Sequence, residues 1–415
     1  MALFHQLEDF RRVVTTVYSS DDGVQDPARE TRRAGIILLR VKLQIEMEPG
    51  FAQTLRVKAA VLHGKEKILV EEITPPALKP GEVRVRIEAA LTCGTDLKVF
   101  KRGYHAKMIV PPAVFGHELA GTIYEVTDGR AGSPLPVDGP HEVTRPTEWQ
   151  IGDRVVAANS APCGDCFHCR AGQENLCEDL LFLNGAYAES IVIPARIVQK
   201  NLLRLKPETD FREAALTEPL ACVVQGIEDL KLCAGQNVLV IGAGPIGLMF
   251  VALAKNLGCN ITVAGRRAAR LEAAKNLGAS QVVDIGDGGD LVSKVRAATH
   301  MHFDAVIEAV GKPEVWEAAV HLVRKGGAVN FFGGCPSGAT VTLDTTLIHY
   351  SNLTLLASFH HTPKTIRRAL GFIESGVIRA KDFVDGECAL TQLPELFKSM
   401  AAGNHAIKTL IKVHE

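Results

Sequence analysis

Four cysteines crowd into one short stretch, Cys163-x2-Cys166-x2-Cys169-x7-Cys177. Four thiolates at this spacing can wrap one tetrahedral zinc, and a site with four protein ligands is structural because no position stays open for substrate. Gly164 and Gly172 let the loop turn. The plainer alternative is four free thiols gathered by chance. A second pattern is Val240-Ile-Gly242-Ala-Gly244-Pro245-Ile246-Gly247. G-x-G-x-x-G says little alone, but here it follows an apolar run and opens a helical one, the setting of a dinucleotide-binding turn. Gly242 permits the tight turn, Gly244 the approach of a pyrophosphate, and Gly247 close packing of helix on strand. Pro245 and Ile246 open the helix whose N-terminus faces the phosphates.

The next strand ends Val263-Ala-Gly265-Arg266-Arg267. An NAD site places Asp or Glu about 20 residues beyond the fingerprint, on the ribose 2′-hydroxyl. Gly265 stands there instead, so nothing repels a 2′-phosphate, and a guanidinium can bind one bidentately. NADP is therefore expected, with Arg266 as its contact and NAD as the alternative. The blander reading makes both arginines a solvated helix start. A third set is dispersed: Cys93-Gly-Thr95-Asp96, Gly116-His117-Glu118 and Thr217-Glu218-Pro219. Cysteine, histidine and carboxylate all ligate zinc, but spacing does not say whether these residues meet.

Such residues need a frame. Val83-Arg-Val-Arg-Ile-Glu88 alternates apolar and charged side chains strictly, the mark of a half-buried strand. Short runs punctuated by Gly and Pro continue over 57–208, as in an all-β, barrel-like domain. From Asn237 strands and helices alternate: Val238–Ile241, Ile246–Leu257, Ile261–Ala264, Ala268–Leu277, Gln281–Ile285, Asp304–Ala309 and Ala328–Phe332. This predicts an α/β domain over 209–345, a parallel sheet covered by helices on both faces. Residues 346–415 are expected to return to the first domain and end in the strand Lys408–Val413. Within them Thr362 reads as a helix N-cap and Pro363 as the first helical residue. Residues 129–148 lack periodicity and read as an inserted surface loop.

The order of Gly116-His-Glu118, Gly152-Asp-Arg-Val155, the 163–177 lobe, Glu218-Pro-Leu220 and the Gly242–Gly247 turn resembles the zinc-containing medium-chain alcohol dehydrogenase superfamily. Within it the chain looks most like the sorbitol and threonine dehydrogenase-like branch, from about Val57 to the C-terminus. The resemblance implies a GroES-like β-barrel catalytic domain, a Rossmann doubly wound domain, an active site between them, two zinc ions per chain and a nicotinamide cofactor. Cys93 and His117 would hold the catalytic zinc, with Glu118 and Glu218 as further ligands or exchange partners. Thr95 would relay the substrate proton and Asp96 would support the zinc shell. Zinc would act as a Lewis acid on the hydroxyl of a polyol, sugar or secondary alcohol, and the nicotinamide would take the hydride. Val310 and Gly311 would lie along the cofactor, and Phe332 and Gly333 would close over its nicotinamide, chiefly through backbone. His360 and His361 would border the substrate pocket. A homodimer or homotetramer is implied. Cys222, Cys233, Cys259, Cys335 and Cys388 read as plain thiols.

Three departures stand out. Residues 1–56 have no counterpart in the family pattern and are expected to be an extension, either disordered or the product of a misplaced start, since Val57-Lys-Ala-Ala-Val-Leu is how such proteins begin. The 129–148 loop is longer than the family's turn. Gly265-Arg266 replaces the usual acid.

Composition sets the outer bounds. A hydrophobic share of 47%, a charged share of 22% and a net charge of −1 describe a globular chain without a broad basic face for nucleic acid. The apolar run Ala34–Leu39 ends at Arg40 and Lys42, far short of a membrane span. Glu8, Asp9, Arg11 and Arg12 argue against a secretory signal, and eight acidic residues within 1–56 argue against a transit peptide. The cytoplasm is the default, where the ten cysteines are thiols or metal ligands. Two other readings compete: a zinc-free quinone-type NADPH reductase, and a non-catalytic NADP-binding sensor or structural protein. Cys93, His117 and the cysteine lobe argue against the first, and the complete ligand set with Thr95 argues against the second.

Overall fold

The computed structural model describes residues 56–105, 108–127, 149–403 and 406–414. The expectations for 1–55 and 129–148 lie outside the described residues.

The first domain is built on largely antiparallel sheets, with one parallel pair, Val384–Ala389 beside Lys408–Lys412. Val57–Gly64 pairs with Lys67–Ile73 on one side and Ala113–Val114 on the other. A larger sheet runs Leu202–Arg204, Arg154–Ala157, Glu118–Val126, Val83–Leu91, Lys408–Lys412, Val384–Ala389, with Ser190–Ile193 also paired to Val83–Leu91. The alternation seen at Val83–Glu88 has its expected cause: Val83, Val85 and Ile87 are buried in the barrel core. Register is what matters for chemistry. Leu91 lies opposite both Glu118 and Leu410. The end of one strand therefore stands beside the starts of two others, and Cys93, Glu118 and Lys408 gather at one end of the sheet.

The second domain is a six-stranded parallel sheet in the order Gln281–Asp284, Asn260–Gly265, Asn237–Ile241, Phe303–Glu308, Val323–Phe331, Thr354–Leu356. Counted along the chain this is 3-2-1-4-5-6, the doubly wound order whose ligands bind at the carboxyl ends where the winding reverses. That point falls between Ile241 and Glu308, next to Gly242–Gly247. The sixth strand lies past residue 345, so the sheet extends further than the sequence pattern suggested. A three-residue strand is too short to show a periodicity of its own. The return to the first domain comes afterwards, through Val384–Ala389 and Lys408–Lys412. Thr362 does cap the helix Pro363–Glu374, in a reciprocal capping box with Thr365.

Two glycines of the fingerprint are sterically required. A Cβ on Gly247 would stand 1.8 Å from the Gly242 carbonyl oxygen, and Gly242 itself has φ +115°. At Gly244 a Cβ would meet nothing within 4 Å, which leaves that side of the turn open. Among the described residues no helix is long and apolar enough to cross a membrane.

Candidate active site

Cys93 caps the helix Gly94–Arg102, and its sulfur accepts the Thr95 N–H at 3.4 Å. His117 follows Gly116, whose φ is +86° and where any Cβ would press into the Tyr187 ring at 2.7 Å. That close approach is why glycine precedes the histidine. His117 Nδ1 lies 2.9 Å from Asp96 Oδ1, and Tyr187 donates from its hydroxyl to Asp96 Oδ2 at 2.6 Å. Burial opposes a charge on His117, but Asp96 and Cys93 beside it hold its pKa well above the imidazole range. A bond from Nδ1 to the carboxylate leaves Nε2 as the ligating nitrogen, the usual arrangement of a metal-bound imidazole.

Cys93, His117 and Glu118 each place a ligand atom within 4.8 Å of the others. Glu118 is fully buried and both of its oxygens lie 2.6 Å from Lys408 Nζ, which also donates to the Thr92 carbonyl at 3.0 Å. Burial opposes the charge on Lys408, but Glu118 outweighs it and holds the ammonium above its usual range. Glu218 stands in a second group, with Cys222 and His360. Burial pushes its carboxyl up to about 7. Its neighbour His361 Nε2 is 3.8 Å away and is hydrogen-bonded instead to Asn159 at 2.9 Å. Of the dispersed set, the structure brings Cys93, His117 and Glu118 together, whereas Glu218 falls in a group with Cys222 and His360, which the sequence did not mark as ligands.

Removing one partner of a buried ion pair costs about 3–5 kcal/mol, because the other charge is left unpaired. Lys408→Met is therefore expected to lower unfolding stability by several kcal/mol in a denaturant titration. Adding Glu118→Gln should recover much of that loss. A Lys408→Met protein as stable as the parent would show that the pair is not formed.

The cysteine lobe closes on itself. The four sulfurs lie within 4.8 Å of one another, and Cys163 Sγ is 3.9 Å from Cys169 Sγ. Around a tetrahedral ion with Zn–S bonds of about 2.3 Å, sulfurs sit roughly 3.8 Å apart, so this donor set fits zinc. Backbone N–H groups of Asp165 and Cys166 lower the Cys163 pKa, and those of Cys169 and Glu178 bring Cys166 down to about 6. Gly164 and Gly172 both adopt positive φ, as the turns demand.

At the nucleotide end, Gly244 caps the helix Pro245–Asn256 with no side-chain hydrogen bond, leaving the first amides open toward a phosphate. A Cβ on Gly265 would crowd Ala243 at 2.7 Å, so the second strand ends directly behind the turn. Arg267 Nη2 donates to the Gly403 carbonyl at 2.8 Å and Arg270 Nη2 to the Ala406 carbonyl at 3.1 Å. Arg266 is exposed and makes no hydrogen bond or ion pair among the described residues. Val310 and Gly311 present no free amide: both N–H groups donate to Glu308 Oε1, at 2.8 and 2.9 Å. The amides of Phe332 and Gly333 bond the Glu308 carbonyl. Any contact of these four with a cofactor comes from side chains, carbonyls or shape.

Several of these residues escaped the sequence reading. Tyr187, Lys408 and Glu308 carry no motif, and their partners lie far off in the chain or appear only once a turn closes. Cys222 did carry a signal: it is four residues after Glu218, one helical turn along the same face.

Residues 79–203 match the family model for the alcohol dehydrogenase GroES-like domain, and residues 245–375 that for zinc-binding dehydrogenases. A D-altritol 5-dehydrogenase from Agrobacterium fabrum is 32% identical over 320 residues, 75% of this chain and 86% of that protein. A sorbitol dehydrogenase from Bacillus subtilis is 28% identical over 360 residues, 86% of this chain and 97% of that protein. A structure described as a zinc-binding dehydrogenase, from Sinorhizobium meliloti 1021 and bound to NADP, superimposes with a TM-score of 0.74 at 28% identity, covering 86% of this chain and 99% of that one.

Proposed function

The chain belongs to the zinc-containing medium-chain alcohol dehydrogenases, in their polyol dehydrogenase branch, and on that premise we propose that it oxidises a secondary hydroxyl of a polyol with NADP, reversibly. The observation that carries the reading is the convergence of Cys93, His117 and Glu118 at one end of the barrel sheet, with Glu218 near enough to feel the charges of His117 and Glu118. When bound there, zinc supplies Lewis acidity to the substrate hydroxyl, and the nicotinamide supplies the hydride acceptor.

The chain's own residues do the rest. Asp96 and Tyr187 hold the His117 ring so that Nε2 faces the metal position. Lys408 balances Glu118 and keeps a second carboxylate within reach. Thr95 is exposed in the first turn of its helix, where its hydroxyl can pass the substrate proton to solvent. The helix beginning at Pro245 receives the pyrophosphate, and Arg266 receives the 2′-phosphate. Support for a polyol comes from the relatives, which act on altritol and sorbitol by name. As in the family, we take the working form to be a homodimer or homotetramer, in the cytoplasm.

The test is nicotinamide reduction by zinc-loaded protein over altritol, sorbitol, threonine and simple secondary alcohols, with NADP and NAD in parallel. Turnover of a polyol that is faster with NADP is expected. Turnover of a monofunctional alcohol alone would overturn the substrate class. No turnover in protein shown to hold two zinc ions per chain would favour the sensor reading.

A further inference from the structure

Glu308 is a buried carboxylate to which the reaction above gives no task. It is 0% exposed, and no lysine or arginine pairs with it among the described residues. A carboxylate in such a place is costly to keep unless hydrogen bonds satisfy it. It ends the strand Phe303–Glu308, the fourth of the parallel sheet, and holds a turn at each end of the residue. Its side-chain Oε1 accepts the Val310 and Gly311 N–H groups at 2.8 and 2.9 Å. Its backbone carbonyl accepts the N–H groups of Phe332 at 3.0 Å and Gly333 at 2.9 Å. The other carboxylate oxygen, Oε2, is buried without a hydrogen-bond partner among the described residues.

The two turns meet backbone to backbone. A Cβ on Gly311 would stand 2.5 Å from the Gly334 carbonyl oxygen, and one on Gly333 would stand 2.3 Å from the Gly311 nitrogen and 2.7 Å from Glu308 Oε2. Trp316 Nε1 donates to the Gly333 carbonyl at 2.9 Å, and the indole stacks on the Phe331 ring with centroids 4.3 Å apart. Lys98 Nζ, from the barrel domain, reaches the Gly334 carbonyl at 3.1 Å. A doubly wound sheet binds a dinucleotide across the switch point, one mononucleotide on each half. On the cofactor reading above, the half that carries Gly265 and Arg266 receives the adenosine 2′-phosphate. The half that begins with Phe303–Glu308 and Val323–Phe331 is left for the nicotinamide, and the turns that Glu308 holds are the carboxyl ends of those two strands.

We propose that Glu308 is a positioning residue for the cofactor: its carboxylate fixes the 309–311 turn against the 332–334 turn, and the surface so formed docks the nicotinamide half and not the adenosine half. The assignment rests on the cofactor part of the dehydrogenase reading. It acts through the two turns, so its loss should cost affinity for one end of the dinucleotide only.

The test compares the binding of NADPH with that of 2′-phospho-ADP-ribose, the same nucleotide without its nicotinamide, by the full-length, zinc-loaded protein. Glu308→Met removes the acceptor of both turn amides. It is expected to weaken NADPH about tenfold or more and to leave 2′-phospho-ADP-ribose within about threefold of the parent. Glu308→Gln keeps the Oε1 acceptor and should bind both ligands within about threefold of the parent. Equal weakening of the two ligands in Glu308→Met, or weakening of neither, would overturn the assignment. A Glu308→Gln protein as weak as Glu308→Met would overturn its hydrogen-bonding basis. Hydrogen exchange in the unmodified protein decides the matter if Glu308→Met does not fold. The 309–311 and 332–334 amides should exchange more slowly with NADPH than with 2′-phospho-ADP-ribose, and equal slowing overturns the proposal. NADH against ADP-ribose serves in the same way if the protein prefers NAD. A parent that binds none of these nucleotides would bring down the cofactor reading and this assignment together. A parent that binds them, with variants that do not separate the pair, would bring down this assignment alone.

Discussion

Alanine in place of Cys93 or His117 is expected to lower kcat/KM by about a thousandfold or more while NADP affinity stays nearly unchanged. A bound metal contributes several kcal/mol of charge stabilisation to such a reaction. Each 1.4 kcal/mol is tenfold in rate, so the loss of about 4 kcal/mol is roughly a thousandfold. Both residues sit at the end of the barrel sheet, away from the Gly242–Gly247 turn, so cofactor binding has no reason to follow. Zinc content should drop from two ions per chain to one, because the four-cysteine lobe is built from a separate loop. His117→Ala also leaves the buried Asp96 with Tyr187 as its only hydrogen-bonding side chain among the described residues, so its stability should fall further than that of Cys93→Ala. If both variants keep parental kcat/KM, these residues do not hold the catalytic zinc.

Arg266→Asp is expected to turn cofactor preference from NADP toward NAD. The guanidinium is exposed, uncommitted among the described residues, and stands one residue past the strand end that backs onto the glycine turn. Hydrogen bonds to a charged group contribute about 1.5–3 kcal/mol, which predicts a loss of roughly 10- to 100-fold in NADP affinity. The new carboxylate would also repel the 2′-phosphate and could accept a bond from the NAD ribose. Asp284 lies opposite Gly265 on the neighbouring strand, but its Oδ1 already accepts the Gly286 N–H at 2.7 Å. Arg267 and Arg270 are held by carbonyls of the C-terminal segment, so Arg267→Ala is expected to disturb stability more than cofactor choice. Measuring kcat/KM for both cofactors on both variants checks the assignment. An unchanged ratio in Arg266→Asp would remove this residue from the cofactor site.

Local chemistry was legible in the sequence where it is local in the chain. The four-cysteine lobe spans a single loop, and the fingerprint a single turn, so spacing alone bounded their geometry. Strand and helix alternation after Asn237 reflects burial of each element against its neighbours, which leaves a periodic trace at every step. The short strand Thr354–Leu356 left no such trace. The positions of Glu118 and Glu218 relative to Cys93 could not be read either, because each reaches the cleft from a different element.

The sequence by itself determined the ligand types, the dinucleotide turn, the closed zinc lobe and the doubly wound class, since each depends on residues within one turn or one short period. Only the tertiary structure decided which of those residues are neighbours. Strand register set Lys408 beside Glu118, across 290 residues of chain, and buried the two together so that each must neutralise the other. It also gave Asp96 the task of orienting His117, committed the amides near Gly311 to Glu308, and put Cys222 beside His360. Those are long-range pairings, fixed by the packing of whole sheets and helices, and no local pattern records them.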